Sequence, residues 1–146
     1  KDIDIILGAD LSKLDKIKQV CLDLNLKVAD QKTADQVSQS MVYPVIDPES
    51  GLRVDFIFSF SDFEINALKR AVNVKIGNRE IKYASLEDLI IFKIFSGRPV
   101  DLADVRNLLL KNPNFNKGYI FEWLKKFDAG SDINYTAILE NIIRDL

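Results

Sequence analysis

Histidine is absent from the 146 residues, and cysteine, methionine and tryptophan occur once each. Without histidine the chain cannot build a Ser–His or Cys–His nucleophile, a histidine general base or a histidine-ligated zinc site. A single cysteine, Cys21, excludes an internal disulfide and a thiolate cluster. It falls on an apolar helical face, as a small buried hydrophobe does, and its use points to a reducing cytoplasm. No apolar run approaches the roughly 18 residues that span a bilayer, so no membrane is expected among the partners. No signal peptide or lipidation motif is visible. Strong charge of one sign is also missing: 20 Lys and Arg stand against 22 Asp and Glu, for a net charge of −2. With 47% hydrophobic residues, the chain fits one compact domain, alone or with a small appendix, and not a disordered segment. Catalysis is left to carboxylates, Lys, Arg, Ser, Thr and Tyr, and a hard cation such as Mg²⁺ is the natural companion of carboxylates.

The first half mixes strands and helices. Residues 2–7 alternate at their start and are β-branched, which predicts a strand. Gly8-Ala9-Asp10 is a turn, and Ser12 is placed to cap a helix striped by Leu14, Ile17, Cys21 and Leu24. A short strand is expected over 26–29, and a polar loop with at most one helical turn over 30–40. Residues 41–46 and 52–58 read as strands joined through Asp47-Pro48-Glu49-Ser50-Gly51, a hairpin turn. Asp62 is placed to cap a helix over 63–71, and Gly77-Asn78 divides a second hairpin over 72–76 and 80–84.

The second half is helical. Ser85 caps a helix with an acidic first turn, running to about Ser96. Gly97-Arg98-Pro99 breaks it, and Asp101 is the expected cap of a helix over 102–110 that Asn112-Pro113 ends. Tyr119, Ile120, Trp123, Leu124 and Phe127 stripe a further helix, and Tyr135, Ile138, Leu139, Ile142, Ile143 and Leu146 the last. This order predicts an α+β unit followed by a helical appendix.

Several charged residues ask for an explanation. Side chains alternate across a strand, so Asp2 and Asp4 share one face, with Cα atoms roughly 6–7 Å apart. Asp55 interrupts the apolar run Val54-Asp55-Phe56-Ile57-Phe58, a pattern of strands covered on both faces, where a carboxylate is costly unless paired or metal-bound. If the two strands are neighbours, Asp2, Asp4 and Asp55 converge, and a divalent ion relieves their repulsion. The plainer alternative is a fraying terminus and a salt bridge from Asp55 to Arg53 or a lysine. Lys93 shares the apolar face of Leu86, Leu89 and Ile90, so it must snorkel out or meet an anion, a phosphate included. Asp101 and Asp104 fit a helix start, and Arg98 can pair with them or with a phosphate. Lys69, Arg70, Lys75, Arg79 and Lys82 face one acid, Glu80, across 66–82. They form a solvated face or an RNA-phosphate contact.

Asp2-Ile3-Asp4, Val54-Asp55-Phe56, the run from Ser85 to Lys93, and Gly97-Arg98-Pro99-Val100-Asp101-Leu102-Ala103-Asp104-Val105 together resemble the nucleotidyltransferase superfamily. The nearest likeness is to its abortive-infection AbiEii-like branch of minimal nucleotidyltransferases, and residues 87–104 are the most specific part. The resemblance implies a DNA-polymerase-β-like, mixed β-sheet with flanking helices over 1–97 and a C-terminal helical segment over 98–146. It implies that Asp2, Asp4 and Asp55 hold Mg²⁺ or Mn²⁺, with Asp55 deprotonating the attacking hydroxyl. It makes Lys93, Arg98 and Asp104 the nucleotide-contacting residues, and a nucleoside triphosphate the substrate. The Gly-Gly or Gly-Ser turn that the superfamily places shortly before its aspartate pair is expected upstream of Asp2, since the chain opens at the pair without an initiator methionine. Two functions follow: transfer of an NMP group from an NTP to an acceptor such as RNA or protein, or a catalytically inactive module. The latter would bind a protein partner in a toxin–antitoxin-like manner through the apolar residues of the Trp123 and Tyr135 helices.

Overall fold

Alternation of Asp and Ile produces strand β1 (Asp2–Ile6) in the computed structural model, which describes residues 2–29, 34–59 and 61–146. After it, the Asp10 side chain accepts from the Ser12 amide at 2.8 Å and opens a short 3₁₀ turn, Leu11–Lys13. That turn runs straight into α1 (Leu14–Asp23). Asp10 thus caps this turn, Ser12 lies inside it, and no side chain caps α1 itself. A two-residue strand, β2 (Lys27–Val28), precedes α2 (Ala34–Ser40), a full helix where a loop was expected. Only Val37 of α2 is buried in the core, so the segment shows no apolar stripe. The part of that expected loop over 30–33 lies outside the described residues.

Strands β3 (Val42–Ile46) and β4 (Arg53–Ile57) form the expected hairpin. Its turn is tied by Asp47, whose carboxylate accepts from the Glu49 amide at 3.1 Å and the Ser50 hydroxyl at 2.5 Å. The sheet order is β1-β4-β3-β2, with β1 parallel to β4 and the other pairs antiparallel. Pro44 lies within β3, a central strand. Its carbonyl accepts from the Ala29 amide at 3.1 Å, so its missing donor also faces the β2 side, where that short ladder ends. One sheet face carries Tyr43, Val45, Val54, Phe56 and Phe58, which pack with Cys21 and Val37 from the helices into the core of this unit. The helix α3 (Asp62–Arg70) follows, opened by a reciprocal Ser61–Glu64 capping pair and not by Asp62.

Residues 1–69 and 70–146 form two compact units. The second unit holds the hairpin β5 (Val72–Ile76) and β6 (Arg79–Tyr83), then α4 (Leu86–Ser96), α5 (Pro99–Lys111), α6 (Lys117–Asp128) and α7 (Tyr135–Arg144). Helix α4 packs against α5, α6 and α7, which is why it groups with the C-terminal helices. It is apolar nearly all round, the composition of a central helix, and Ile90, Ile91 and Ile94 are fully buried. Ser85 caps its start and Gly97, at φ 65°, closes its end, both as expected. Helix α5 begins at Pro99 and not beyond Asp101, because proline at the first helical position needs no amide partner. The mixed α+β architecture with trailing helices is the one the sequence predicts. No helix among the described residues is long and apolar enough to cross a membrane.

The second unit also buries an acid. Asp88, fully buried, accepts from the Ser85 hydroxyl at 2.6 Å, the Tyr119 hydroxyl at 2.5 Å and the Arg70 guanidinium at 3.2 Å. Arg70 stacks over the Tyr119 ring, 4.0 Å from its centre, and also reaches Glu87 at 3.3 Å. Burial, reinforced by the neighbouring Asp88 carboxylate, pushes the Tyr119 phenol well above its usual range. Three donors from α4's cap, α6 and Arg70 thus meet on one carboxylate. Replacing Asp88 by Ala strands all three, and we expect a loss of about 3–5 kcal/mol in urea-unfolding stability. A loss below about 1 kcal/mol would show that the cluster is incidental to the unit.

Candidate active site

The parallel register of β1 on β4 pairs Asp2 with Arg53 and Asp4 with Asp55. Paired residues on neighbouring strands point to the same side, so Asp2, Asp4, Arg53 and Asp55 form a two-by-two charged array on one face. Ile3 and Ile5 point the other way, in line with Val54 and Phe56 on the core face. The strands carrying the three aspartates are thus neighbours, with Cα atoms roughly 5 Å apart across the pair. The Asp55 carboxylate is turned to Arg53, accepting from Nε at 2.9 Å. Among the described residues, no three His, Cys, Asp or Glu side chains converge closely enough to hold a metal ion. All three offer carboxylate oxygen, the donor type a hard divalent cation takes.

Lys93, Arg98 and Asp104 lie in the second unit, each already engaged. Lys93 Nζ donates to Asp101 at 3.1 Å and to Asp104 at 2.7 Å. Of the two outcomes open to a lysine on α4's apolar side, it meets anions. Burial alone would lower its pKa, but the Asp104 and Asp101 carboxylates more than offset this and raise it. Asp101 is buried and receives three donors: Arg98 Nε at 2.5 Å, the Ser96 hydroxyl at 2.8 Å and Lys93. It acts as a bridge between α4 and α5, and the cap assigned to it from sequence belongs to the Arg98 position.

The basic set over 66–82 is divided by the fold. Arg70 is drawn to Asp88 and Glu87, Lys75 and Lys82 share one hairpin face with Glu80, and Arg79 shares the opposite face with Ile76. On α6 and α7, Ile120, Leu124, Tyr135 and Leu139 are buried core. Trp123 and Phe127 are half-buried, and Phe127 meets Phe95 and Tyr135 with ring centres 5.3 Å and 6.2 Å away. The Asp88 cluster is the polar centre that sequence reasoning missed. Its one visible signal is an acid followed by the run Leu89-Ile90-Ile91-Phe92, while its partners Arg70 and Tyr119 lie 18 and 31 residues away.

A mixed sheet bearing three aspartates on one face, with flanking helices and a helical C-terminal part, defines a nucleotidyltransferase-like α+β fold. The chain belongs to the nucleotidyl transferase family of unknown function (DUF2204), whose model matches residues 9–122. The match covers Asp55, Lys93, Arg98 and Asp104 and begins after β1, so Asp2 and Asp4 precede it. No curated protein matches the chain.

The Asp101 bridge makes a pH prediction. Its hydrogen bond from Arg98, against the opposing pull of burial and with help from Ser96 and Lys93, lowers its pKa from 3.8 to about 2. A depressed carboxylate stabilises the fold above its unfolded pKa and loses that contribution as pH falls through the folded value. Asp101→Asn should therefore cost on the order of 2 kcal/mol at pH 7. In thermal melts, the gap between wild type and variant should narrow as pH falls from about 4 to about 2. A gap of constant size across that window would contradict the bridge.

Proposed function

We propose that this protein is a metal-dependent nucleotidyltransferase that moves an NMP group from an NTP to an acceptor hydroxyl or phosphate, on RNA or protein. The observation that carries this reading is the register of β1 on β4, with Asp4 beside Asp55 and Asp2 one step along the same face. Asp2, Asp4 and Asp55 would hold Mg²⁺ or Mn²⁺. When bound, the cation would orient the triphosphate and stabilise charge on the leaving pyrophosphate. Asp55, the one of the three that lies within the span of the family match, would accept the proton of the attacking hydroxyl. Lys93 and Arg98 would offer cations to phosphate, in competition with the carboxylates they now contact, while Asp104 would hold Lys93 in place. Kinship with the AbiEii-like branch is the finer part of the same proposal, resting on the segment from Glu87 to Asp104. We also assign the protein to the cytoplasm, which suits its free, buried Cys21.

A second reading draws on the ion pair between Arg53 and Asp55. If that pair is permanent, the fold is retained as an inactive module that binds a protein partner. Thermal melts separate the two. For an enzyme, Mg²⁺ and NTP together raise the melting temperature by a few degrees, since ligands that bind only the folded state stabilise it. Asp55→Asn should abolish that joint shift, and Lys93→Met should weaken the NTP share while leaving the response to metal alone. A joint shift that survives in Asp55→Asn would count against the metal role, and its absence from wild type would favour the inactive module.

A further inference from the structure

We propose that Arg53 is the resident counter-ion of the aspartate array and sets the affinity with which a divalent cation enters it. This inference rests on the metal reading above and concerns a residue to which that reading gives no role. Three carboxylates on adjacent strands of one sheet face repel one another, and a fold that holds them without a metal needs a positive charge close by. Arg53 supplies one from within β4, at Asp55. Its position two residues before Asp55 puts both side chains on the same face, and its Cα partner across the strands is Asp2. The guanidinium Nε lies 2.9 Å from Asp55 Oδ1, with the two side chains 34% and 20% exposed. At that burial the pair is only partly screened by water, so it outlasts an ordinary surface pair yet remains displaceable.

A cation that takes Asp55 as a ligand must first displace this guanidinium. The two compete for the same carboxylate oxygens, so the energy of the ion pair is subtracted from metal binding. In metal-free protein Arg53 offsets the charge of Asp55, and in metal-bound protein Arg53 is freed. Lysine at position 53 would keep the charge but lose the planar fork that fits a carboxylate, and glutamine would lose the charge altogether.

The test is equilibrium binding of Mn²⁺ to the full chain, with free Mn²⁺ counted by its electron paramagnetic resonance signal. Arg53→Gln should bind Mn²⁺ roughly fivefold more tightly than wild type, and Arg53→Lys should fall between them. Asp55→Asn should bind weakly in either background. Wild type and Arg53→Gln binding with equal affinity would overturn the role of Arg53 and leave the metal site standing. Absence of Mn²⁺ binding in wild type and in the folded Arg53→Gln protein would overturn the metal reading and this inference with it. A measurement on wild type alone covers the case in which Arg53→Gln does not fold. The Arg53 Nε–H resonance should move on titration with Mg²⁺ and keep its position in Asp55→Asn. An unmoved resonance in Mg²⁺-saturated wild type would sink the proposal.

Discussion

The register of β1 on β4 is the constraint from which the rest of the first unit follows. Ile3 and Ile5 align with Val54 and Phe56 on one face, where Val54 and Phe56 are buried in the core while Ile3 and Ile5, on the edge strand, stay exposed. That apolar match favours the observed pairing, because a slip of one residue would set Asp2 and Asp4 in line with Val54 and Phe56. Strand alternation in this register gathers the carboxylates on the opposite face. The crowding is costly in itself, and Arg53 offsets part of that cost at Asp55. The chain itself thus places a cation on this sheet face.

The second unit handles buried charge differently. Asp88 and Asp101 are each surrounded by donors from separate elements, so neither carboxylate is left uncompensated. Such clusters add little net stability compared with a well-packed apolar core, but losing one partner is expensive. They fix which elements meet: Asp88 ties Arg70, the cap of α4 and α6 together, and Asp101 ties the end of α4 to the start of α5. Lys93 belongs to this second bridge. Any phosphate reaching it must outcompete Asp104 at 2.7 Å and Asp101 at 3.1 Å.

Most strands and helices were legible because each carries its own local signal. Both hairpins announced themselves through turn residues, and α4 through a serine cap, an apolar run and a terminal glycine. Helix α2 was hidden because a single side chain, Val37, anchors it, and one apolar residue makes no periodicity. The start of α5 was misplaced because Asp101 looks like a cap, whereas its carboxylate turns back to Lys93, Ser96 and Arg98. The shared face of Asp2 and Asp4 followed from strand alternation alone. That β1 lies beside β4 could be stated only conditionally, since parallel pairing across some fifty residues leaves no local mark. The Asp88 cluster was invisible for the same reason: its partners are brought together by tertiary packing, not by spacing.

The central claim is that Asp2, Asp4 and Asp55 share a divalent cation. A crystal structure of the protein grown with Mn²⁺ and a non-hydrolysable NTP analogue tests it most directly, through the anomalous signal of manganese. The expected result is a manganese peak within coordination distance of all three carboxylates, with Arg53 withdrawn from Asp55. Manganese bound elsewhere, with the arginine still seated on Asp55, would contradict it.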